Sequence, residues 1–221
     1  MNCPCGGFGS AAEQQFTEEI AARDLKSYVT KGPGATTRLL RDGLVRAGDV
    51  DGLLLDIGTG IGALTFELLE AGTTAAIAVD ASPAYIAAAS REAARRHRLD
   101  AIQFMRADFL EAAPRIPSAA LVTLDRVVCC YPAAEPLLTE ALQHAERRFA
   151  FSYPRDLWFV RVWNALLNSK RRLTGRSFRT HIHSASQMTK VITDAGFALV
   201  SRRGTWAWSV DVYTRSTSPS K

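Results

Sequence analysis

A glycine-rich turn preceded by an acid is the part of the sequence best suited to chemistry. In LLLDIGTGIGALTFELLEAG (53–72), Asp56 ends a short apolar run, and Gly58, Gly60 and Gly62 lead into a helix-forming segment. Glycine lets the backbone approach a ligand where a Cβ would collide, and a helix start presents free N–H groups. The pattern predicts a cofactor site between a buried strand and a helix.

Two further acids follow the next two apolar runs. Asp80 ends AAIAVD (75–80), 18 residues after Gly62, where a carboxylate can accept hydrogen bonds from both ribose hydroxyls. Asp108 ends the following run and can accept from an adenine amine, while Phe109 covers the ring. The competing interpretation is a chance cluster of loop glycines beside a surface aspartate. We favour the cofactor site, because a strand, a turn, a helix and an acid follow one another in the expected order.

Two cofactors fit such a turn, a dinucleotide and S-adenosylmethionine. Asp56 would repel a pyrophosphate, yet it suits the ammonium of a methionyl group. The chain also lacks the separate substrate domain that a dehydrogenase usually has. These features favour S-adenosylmethionine.

The elements that must position these residues alternate regularly, which predicts a parallel sheet with helices on both faces. The last two predicted strands, FALVSRR and TWAWSVDVYTR, are joined by a short connection at Gly204. Two strands with so short a connection must be antiparallel. We therefore expect an α/β fold: a Rossmann-like three-layer sandwich with a seven-stranded, mostly parallel sheet and an antiparallel C-terminal hairpin. The first five strands are predicted at 52–58, 75–80, 102–108, 120–124 and 149–153, and helices at 11–30, 35–48, 61–71, 83–99, 132–148 and 186–195.

Composition and charge narrow the class of protein. The chain has 221 residues, 47% of them apolar, and a net charge of +5, which excludes a wholly disordered chain and allows anionic substrates. No apolar run approaches the roughly 20 residues that span a bilayer, and the N-terminus does not resemble a secretory signal, so a cytoplasmic location is expected. We expect an N-terminal tail and helical lid at 1–50, a catalytic domain at 51–215 and a disordered tail at 216–221.

The motifs DIGTGIG, AVDAS, RADF and LDRVVCCYP resemble, in order and spacing, the cofactor motifs of class I S-adenosylmethionine-dependent methyltransferases. The segment from SYPRD to DAGF (152–197) is similar to magnesium-protoporphyrin O-methyltransferases and to related bacterial methyltransferases without an assigned substrate. One departure is Cys130, where the porphyrin enzymes tend to carry a histidine, which weakens the transfer of their substrate and mechanism to this chain. The resemblance implies cofactor contacts from Asp56, Gly58, Thr59, Gly60, Gly62, Asp80, Ala81, Asp108, Phe109 and Asp125.

The acceptor side of the site has weaker signals. A carboxylate acceptor needs no base, whereas a hydroxyl acceptor does, and Tyr28, Tyr131 and His183 are the candidates. The segment after Arg155 predicts an aromatic helix, which could be core, a cover over a flat ligand, or a peripheral membrane face. The candidates for binding the acceptor are Tyr153, Trp158 and Arg176.

The predicted function is methyl transfer to a small, flat, largely apolar acceptor, with O-methylation favoured. An RNA or protein methyltransferase and a non-catalytic cofactor-binding module are the alternatives, and no nucleic-acid partner is expected. No metal is predicted, because Cys3 and Cys5 lack a second pair at zinc-finger spacing. Cys129 and Cys130 are either small buried residues or a soft-ion or nucleophilic pair. Oligomeric state stays open.

Overall fold

The computed structural model describes residues 8–216, and Cys3, Cys5 and the predicted tail beyond Ser216 lie outside them. The described strands are β1 (Leu53–Ile57), β2 (Ala75–Asp80), β3 (Ile102–Arg106), β4 (Ala119–Leu124), β5 (Ala145–Pro154), β6 (Phe197–Gly204) and β7 (Trp208–Arg215). The described α-helices are α1 (Phe8–Gln15), α2 (Glu18–Lys31), α3 (Ala35–Arg46), α4 (Ala63–Ala71), α5 (Pro83–Arg95), α6 (Phe109–Ala112), α7 (Ala134–His144), α8 (Trp158–Leu173) and α9 (Ala185–Asp194).

The seven strands form one sheet in the order β3-β2-β1-β4-β5-β7-β6. The first five strands are parallel, and β7 runs antiparallel to both β5 and β6. The predicted fold, a mostly parallel seven-stranded sheet ending in an antiparallel hairpin, is therefore confirmed.

Helices cover both faces of this sheet, which is why its central strands are continuous apolar runs. On one face, Leu40 and Leu44 of α3 pack with Leu54 and with residues of α4 and α5. On the other face, Leu137 of α7 and Ile192 of α9 pack with apolar residues of β4 and β5. The result is a three-layer sandwich in which α3 belongs to one of the covering layers, in contact with β7.

The prediction of one helix over residues 11–30 was wrong, because the chain turns between α1 and α2. The ring of Phe16 lies 5.2 Å from the rings of both Tyr85 and Phe178, and Ser82 Oγ donates to the Phe16 carbonyl. These contacts hold residue 16 inward, and α2 begins again after Thr17. The break brings the N-terminal helices against the carboxyl edge of the sheet.

The predicted helix at 132–148 is also shorter, because β5 begins at Ala145. Arg147 bonds to the carbonyl and carboxylate of Asp51, and Arg148 bonds to the carbonyls of Ala47 and Asp49. These contacts fix the start of β5 as a strand beside the α3–β1 loop.

Within residues 8–216, no helix is long and apolar enough to cross a bilayer.

Candidate active site

The carboxyl ends of β1, β2 and β4 open into a cavity of about 700 Å³. Its walls come from α2, the glycine turn, the loop after β4 and the segment after α8. Ligands of open α/β sheets bind at this edge, where the strand order reverses. Most of the predicted cofactor residues and part of the predicted acceptor segment therefore line the same cavity.

The glycine turn adopts a backbone that side chains rarely tolerate. Gly58, Gly60 and Gly62 have φ values of +67°, +56° and +81°. A Cβ on Gly58 would lie 2.3 Å from Cγ2 of Val127, whereas a Cβ on Gly60 would meet no atom within 4 Å. Gly58 is thus required by packing, while Gly60 leaves open space on the cavity side.

Asp56 lies beneath the turn, with 1% of its surface exposed. Its Oδ2 accepts hydrogen bonds from the hydroxyls of Thr59 and Thr65, and its Oδ1 accepts from Thr123 Oγ1, at 2.7–2.8 Å. Burial raises the pKa of this carboxyl. Asp56 therefore ties β1, β4 and the start of α4 together, and it also borders the cavity, so its predicted contact with an ammonium group stays a prediction.

Asp80 supports the turn from the neighbouring strand. Its Oδ2 accepts from the Gly60 N–H and its Oδ1 from the Ser82 N–H, both at 2.8 Å. The side chain is half-buried and, with Ala81, borders the cavity. Burial raises the pKa of Asp80 to about 6. A carboxylate in this position can accept further hydrogen bonds from a ligand.

Asp108 caps α6 and keeps one oxygen without a partner. Its Oδ1 accepts from the Tyr131 hydroxyl at 2.7 Å and from the Leu110 N–H at 3.1 Å. Its Oδ2 is buried and has no hydrogen-bond partner among the described residues. Phe109 and Tyr131 both border the cavity beside it. A buried acceptor without a donor is costly, so this oxygen suits a ligand's N–H.

Asp125, at the end of β4, links the sheet to the N-terminal helices. Its Oδ2 accepts from Thr37 Oγ1 of α3 and its Oδ1 from Ser152 Oγ of β5, both at 2.6 Å. The next residue, Arg126, has a left-handed φ of +63°, and its N–H donates to the same Ser152 oxygen. Asp125 and Arg126 both border the cavity, so this strained turn shapes its wall.

The three candidate bases all make hydrogen bonds within the protein. The Tyr28 hydroxyl donates to Glu67 Oε1 and the Tyr131 hydroxyl donates to Asp108, and burial raises the pKa of both phenols. His183 lies outside the cavity lining, with Nε2 3.1 Å from the carbonyls of Val128 and Tyr131. Tyr28 and Tyr131 are wall residues, and His183 positions the loop after β4.

The residues predicted to bind the acceptor lie away from the cavity lining. The Tyr153 hydroxyl donates to Asp211 in the core, the side chain of Trp158 is 77% exposed, and Arg176 is exposed. Arg171 and Phe178 of the same segment border the cavity instead. The basic segment was recognised from sequence, but its helical spacing did not reveal which arginine turns inward.

Arg171 borders the cavity and is held there by contacts with neighbouring side chains. Its guanidinium lies 5.3 Å from the ring centre of Phe178, and Nη1 contacts Asn168 Oδ1 and Thr180 Oγ1 at 3.1–3.2 Å. Burial lowers the pKa of Arg171, but an arginine remains charged at neutral pH. This end of the cavity therefore combines an aromatic ring with a fixed positive charge.

Cys129 and Cys130 also border the cavity. Their sulfurs lie 3.4 and 3.6 Å from the Arg126 carbonyl oxygen. Hydrogen bonding between the two thiols lowers the pKa of Cys129 and raises that of Cys130. No group of three or more His, Cys, Asp and Glu side chains among the described residues is arranged to hold a metal ion.

Comparison with known proteins identifies the chemistry of this cavity. Residues 54–150, which contain the glycine turn, Asp56, Asp80, Asp108 and Asp125, match the family model described as a methyltransferase domain. The match covers 97 of the 221 residues. This part of the chain is a methyltransferase domain. A search of curated proteins finds no match.

Solved structures share the fold of this methyltransferase. Magnesium protoporphyrin IX methyltransferase from Synechocystis PCC 6803, with bound S-adenosylmethionine, aligns with a TM-score of 0.72 and 19% identity over 97% of this chain and 100% of that chain. An O-methyltransferase family protein from Burkholderia thailandensis aligns with a TM-score of 0.69 and 16% identity over 98% and 68%. Human N-acetylserotonin methyltransferase, in complex with S-adenosylmethionine, aligns with a TM-score of 0.65 and 16% identity over 97% and 61%.

The residues of this cavity fit S-adenosylmethionine. The unpartnered Oδ2 of Asp108 suits the adenine amine, and Phe109 offers an apolar surface beside it. Asp80 would accept from the ribose hydroxyls, and the open space at Gly60 would let the backbone approach the sugar and methionyl chain. Eight of the ten positions predicted to contact the cofactor border this cavity, while Gly62 and Asp108 lie beside residues that do.

Two glycine substitutions should separate the packing of the turn from its contact with the cofactor. Gly58→Ala should lower the free energy of unfolding by about 2–4 kcal/mol, because its Cβ overlaps Val127. Gly60→Ala should lower it by only about 1 kcal/mol, the cost of a left-handed alanine, but should weaken cofactor binding at least about tenfold. Chemical denaturation and calorimetric titration measure the two quantities. Unchanged cofactor affinity in Gly60→Ala would remove this glycine from the site.

Proposed function

We propose that this methyltransferase transfers the methyl group to a small, flat, largely apolar acceptor through an acceptor oxygen, and that this oxygen belongs to a carboxylate. The observation that carries the proposal is the pairing of an aromatic wall with Arg171. Phe16 and Phe178 meet edge to face at 5.2 Å, and the Arg171 guanidinium lies over Phe178. Aromatic rings bind flat apolar ligands, and a guanidinium binds carboxylates through paired hydrogen bonds.

The protonation of the surrounding groups supports a carboxylate as the nucleophile. The Tyr28 and Tyr131 hydroxyls donate their protons to carboxylates, so neither tyrosine is placed to deprotonate a hydroxyl acceptor. A carboxylate is already ionised at neutral pH and needs no base. Arg171 would bind and orient it, which leaves one of its oxygens available for reaction.

The remaining task of the protein is alignment and exclusion of water. S-adenosylmethionine, when bound, supplies an electrophilic methyl group on a sulfonium. Phe16 and Tyr28 of the N-terminal segment close one side of the cavity, and the Asp125–Thr37 hydrogen bond holds α3 against the end of β4. These contacts support the predicted lid for the part of residues 1–50 that contains Phe16 and Tyr28, whereas α3 packs in a covering layer of the sheet.

The decisive experiment uses S-adenosylmethionine labelled in the methyl group and a fractionated extract, followed by mass identification of the labelled product. The proposal expects label in a small acid and its release as methanol by mild alkali, since a methyl ester hydrolyses where an ether does not. Label in RNA or protein, or cofactor binding without turnover in any fraction, would establish one of the alternatives. The Asp80→Ala variant is the control for transfer that depends on the site.

Arg171→Ala should raise the KM for the acceptor about tenfold, because a charged hydrogen bond to a carboxylate is lost. Cofactor affinity should change by less than about twofold, since Arg171 lies on the acceptor side. Arg176→Ala, on an exposed neighbour in the same basic segment, is the matched control and should leave KM unchanged. Equal effects of the two substitutions would show that net charge, and not Arg171, binds the acceptor.

A further inference from the structure

Helix α8 presents an apolar face to solvent. Trp158, Val162, Trp163 and Leu166 are 51–77% exposed, and their spacing places them on one side of the helix. Trp206, 72% exposed, continues this surface through a stacked contact with Phe159 at 6.1 Å. We call these five exposed residues the tryptophan face. Contiguous apolar surface of this kind marks an interaction site in proteins.

The opposite side of α8 holds the helix on the protein through mainly polar contacts. The amides of Asn164 and Asn168 both donate to the Thr180 carbonyl, and Val160 is the one buried apolar residue of the helix. Arg171 lies on this inward side and reaches the cavity. An amphipathic helix normally turns its apolar side to the core, so α8 is oriented for a partner outside the fold.

The surroundings of the tryptophan face are strongly basic. Residues 155–183 contain seven Arg and Lys residues and a single acid, Asp156. The net charge of this segment is therefore +6, whereas that of the whole chain is +5. Asp156 is paired with Arg161, while Lys170 and Arg172 are exposed at the C-terminal end of the helix. The complementary partner is therefore an apolar surface bordered by negative charge.

We propose that the tryptophan face docks onto a lipid bilayer that contains anionic headgroups. Tryptophan side chains are favoured at the boundary between headgroups and acyl chains, and basic residues beside them bind anionic lipid. A second copy of this chain fits less well, because a symmetric contact would bring two clusters of six positive charges together. A nucleic acid would pair with the charges but would leave much of the apolar face exposed.

Docking would have a direct consequence for the cavity. Arg171 and Phe178, which border its acceptor side, belong to the same basic segment as the tryptophan face. The bilayer would lie next to this side of the cavity, so an apolar acceptor dissolved in the membrane could enter without crossing water. The membrane contact itself does not depend on which acceptor is methylated.

The test uses the full chain and vesicles of phosphatidylcholine with or without phosphatidylglycerol. Three of the four tryptophans, Trp158, Trp163 and Trp206, lie on the proposed contact surface, so intrinsic fluorescence reports its environment. We expect a blue shift and co-sedimentation with the anionic vesicles, both weakened by added salt, and far less with phosphatidylcholine alone.

Two double variants separate the apolar and electrostatic contributions. The first variant combines Trp158→Ser with Trp163→Ser and removes apolar contacts; the second combines Lys170→Glu with Arg172→Glu and reverses two charges. Each variant should lower the vesicle partition coefficient by at least about tenfold. Leu99→Ser with Arg115→Glu, exposed positions outside α8, is the matched control and should bind as the parent protein does. Thermal unfolding checks that all three are folded.

Three results would overturn the proposal. The first is no binding to anionic vesicles by the folded parent protein. The second is a dimer in light scattering that the tryptophan substitutions dissociate, with no vesicle binding, which would assign the face to a second copy. The third is binding to RNA that competes with vesicles and requires both tryptophans. None of these outcomes depends on methyl transfer, so the membrane proposal and the proposed function can fail separately.

Discussion

Replacing Asp80 by alanine should weaken the binding of S-adenosylmethionine by about 1.5–3 kcal/mol, or roughly ten- to 150-fold in Kd. The substitution removes the carboxylate that would accept from the ribose, and it also frees the Gly60 N–H that Asp80 holds at 2.8 Å. Both losses act on the same contact region, so the effect should exceed that of any other single cofactor residue. Isothermal titration calorimetry measures it.

The pH dependence of the same affinity provides an independent check. Burial raises the pKa of Asp80 to about 6, so the carboxyl is mainly ionised at about pH 7.5 and mainly protonated at about pH 5. The protonated form is a weaker acceptor, so Kd should rise as the pH falls through this window. In Asp80→Ala this component should be absent. Two results together would contradict the assignment of Asp80 to the cofactor site. They are a parent protein whose affinity for S-adenosylmethionine is constant from about pH 5 to 7.5 and an Asp80→Ala variant that binds the cofactor as tightly as the parent.

Replacing Asp56 by alanine should lower the free energy of unfolding by about 3–5 kcal/mol and the melting temperature by about 10 °C. The variant leaves the buried hydroxyls of Thr59, Thr65 and Thr123 without their carboxylate acceptor, although Thr59 and Thr65 can still bond to each other at 3.1 Å. The loss of these hydrogen bonds exceeds the benefit of no longer burying a carboxylate, whose pKa is raised in the folded protein. Chemical denaturation measures the change.

Asp100→Ala is the matched control, since Asp100 is exposed in the short 3-10 helix before β3 and its substitution should cost less than about 0.5 kcal/mol. Asp56→Asn should give an intermediate loss, because an amide keeps one oxygen acceptor. If Asp56→Ala unfolds like the control while its cofactor affinity collapses, Asp56 binds the cofactor directly, as the sequence had predicted, and its structural role is minor.

Much of the fold could be predicted because its signals are local. AAIAVD is an uninterrupted apolar run closed by an acid, and β2 occupies residues 75–80 as predicted. The alternation of such runs with helices specifies a parallel sheet, and the short connection at Gly204 specifies an antiparallel pair. The misplaced bounds had tertiary causes: Phe16 breaks the first helix through rings that lie far away in sequence.

The cofactor side of the site was visible in sequence for a similar reason, because its residues lie at strand ends in fixed order. The acceptor side was not. The apolar stripe of α8 is evident from spacing, but spacing does not show whether the stripe faces the protein or the solvent. Likewise, the hydrogen bonds of Tyr131 and His183 join residues 23 to 55 positions apart, and only the folded chain reveals that they hold the loop after β4 in place.

The position of β7 between β5 and β6 has a consequence for the biosynthesis of the protein. As the chain is made, β6 appears before β7 but has no strand to pair with until β7 is complete. Until residue 215 has been added, β5 therefore remains an open edge that carries Phe149 and Phe151, both destined for the core. An unpaired apolar edge is a template for aggregation, so the nascent chain is prone to aggregate until β7 pairs with β5. A chain truncated before residue 208 should therefore be insoluble.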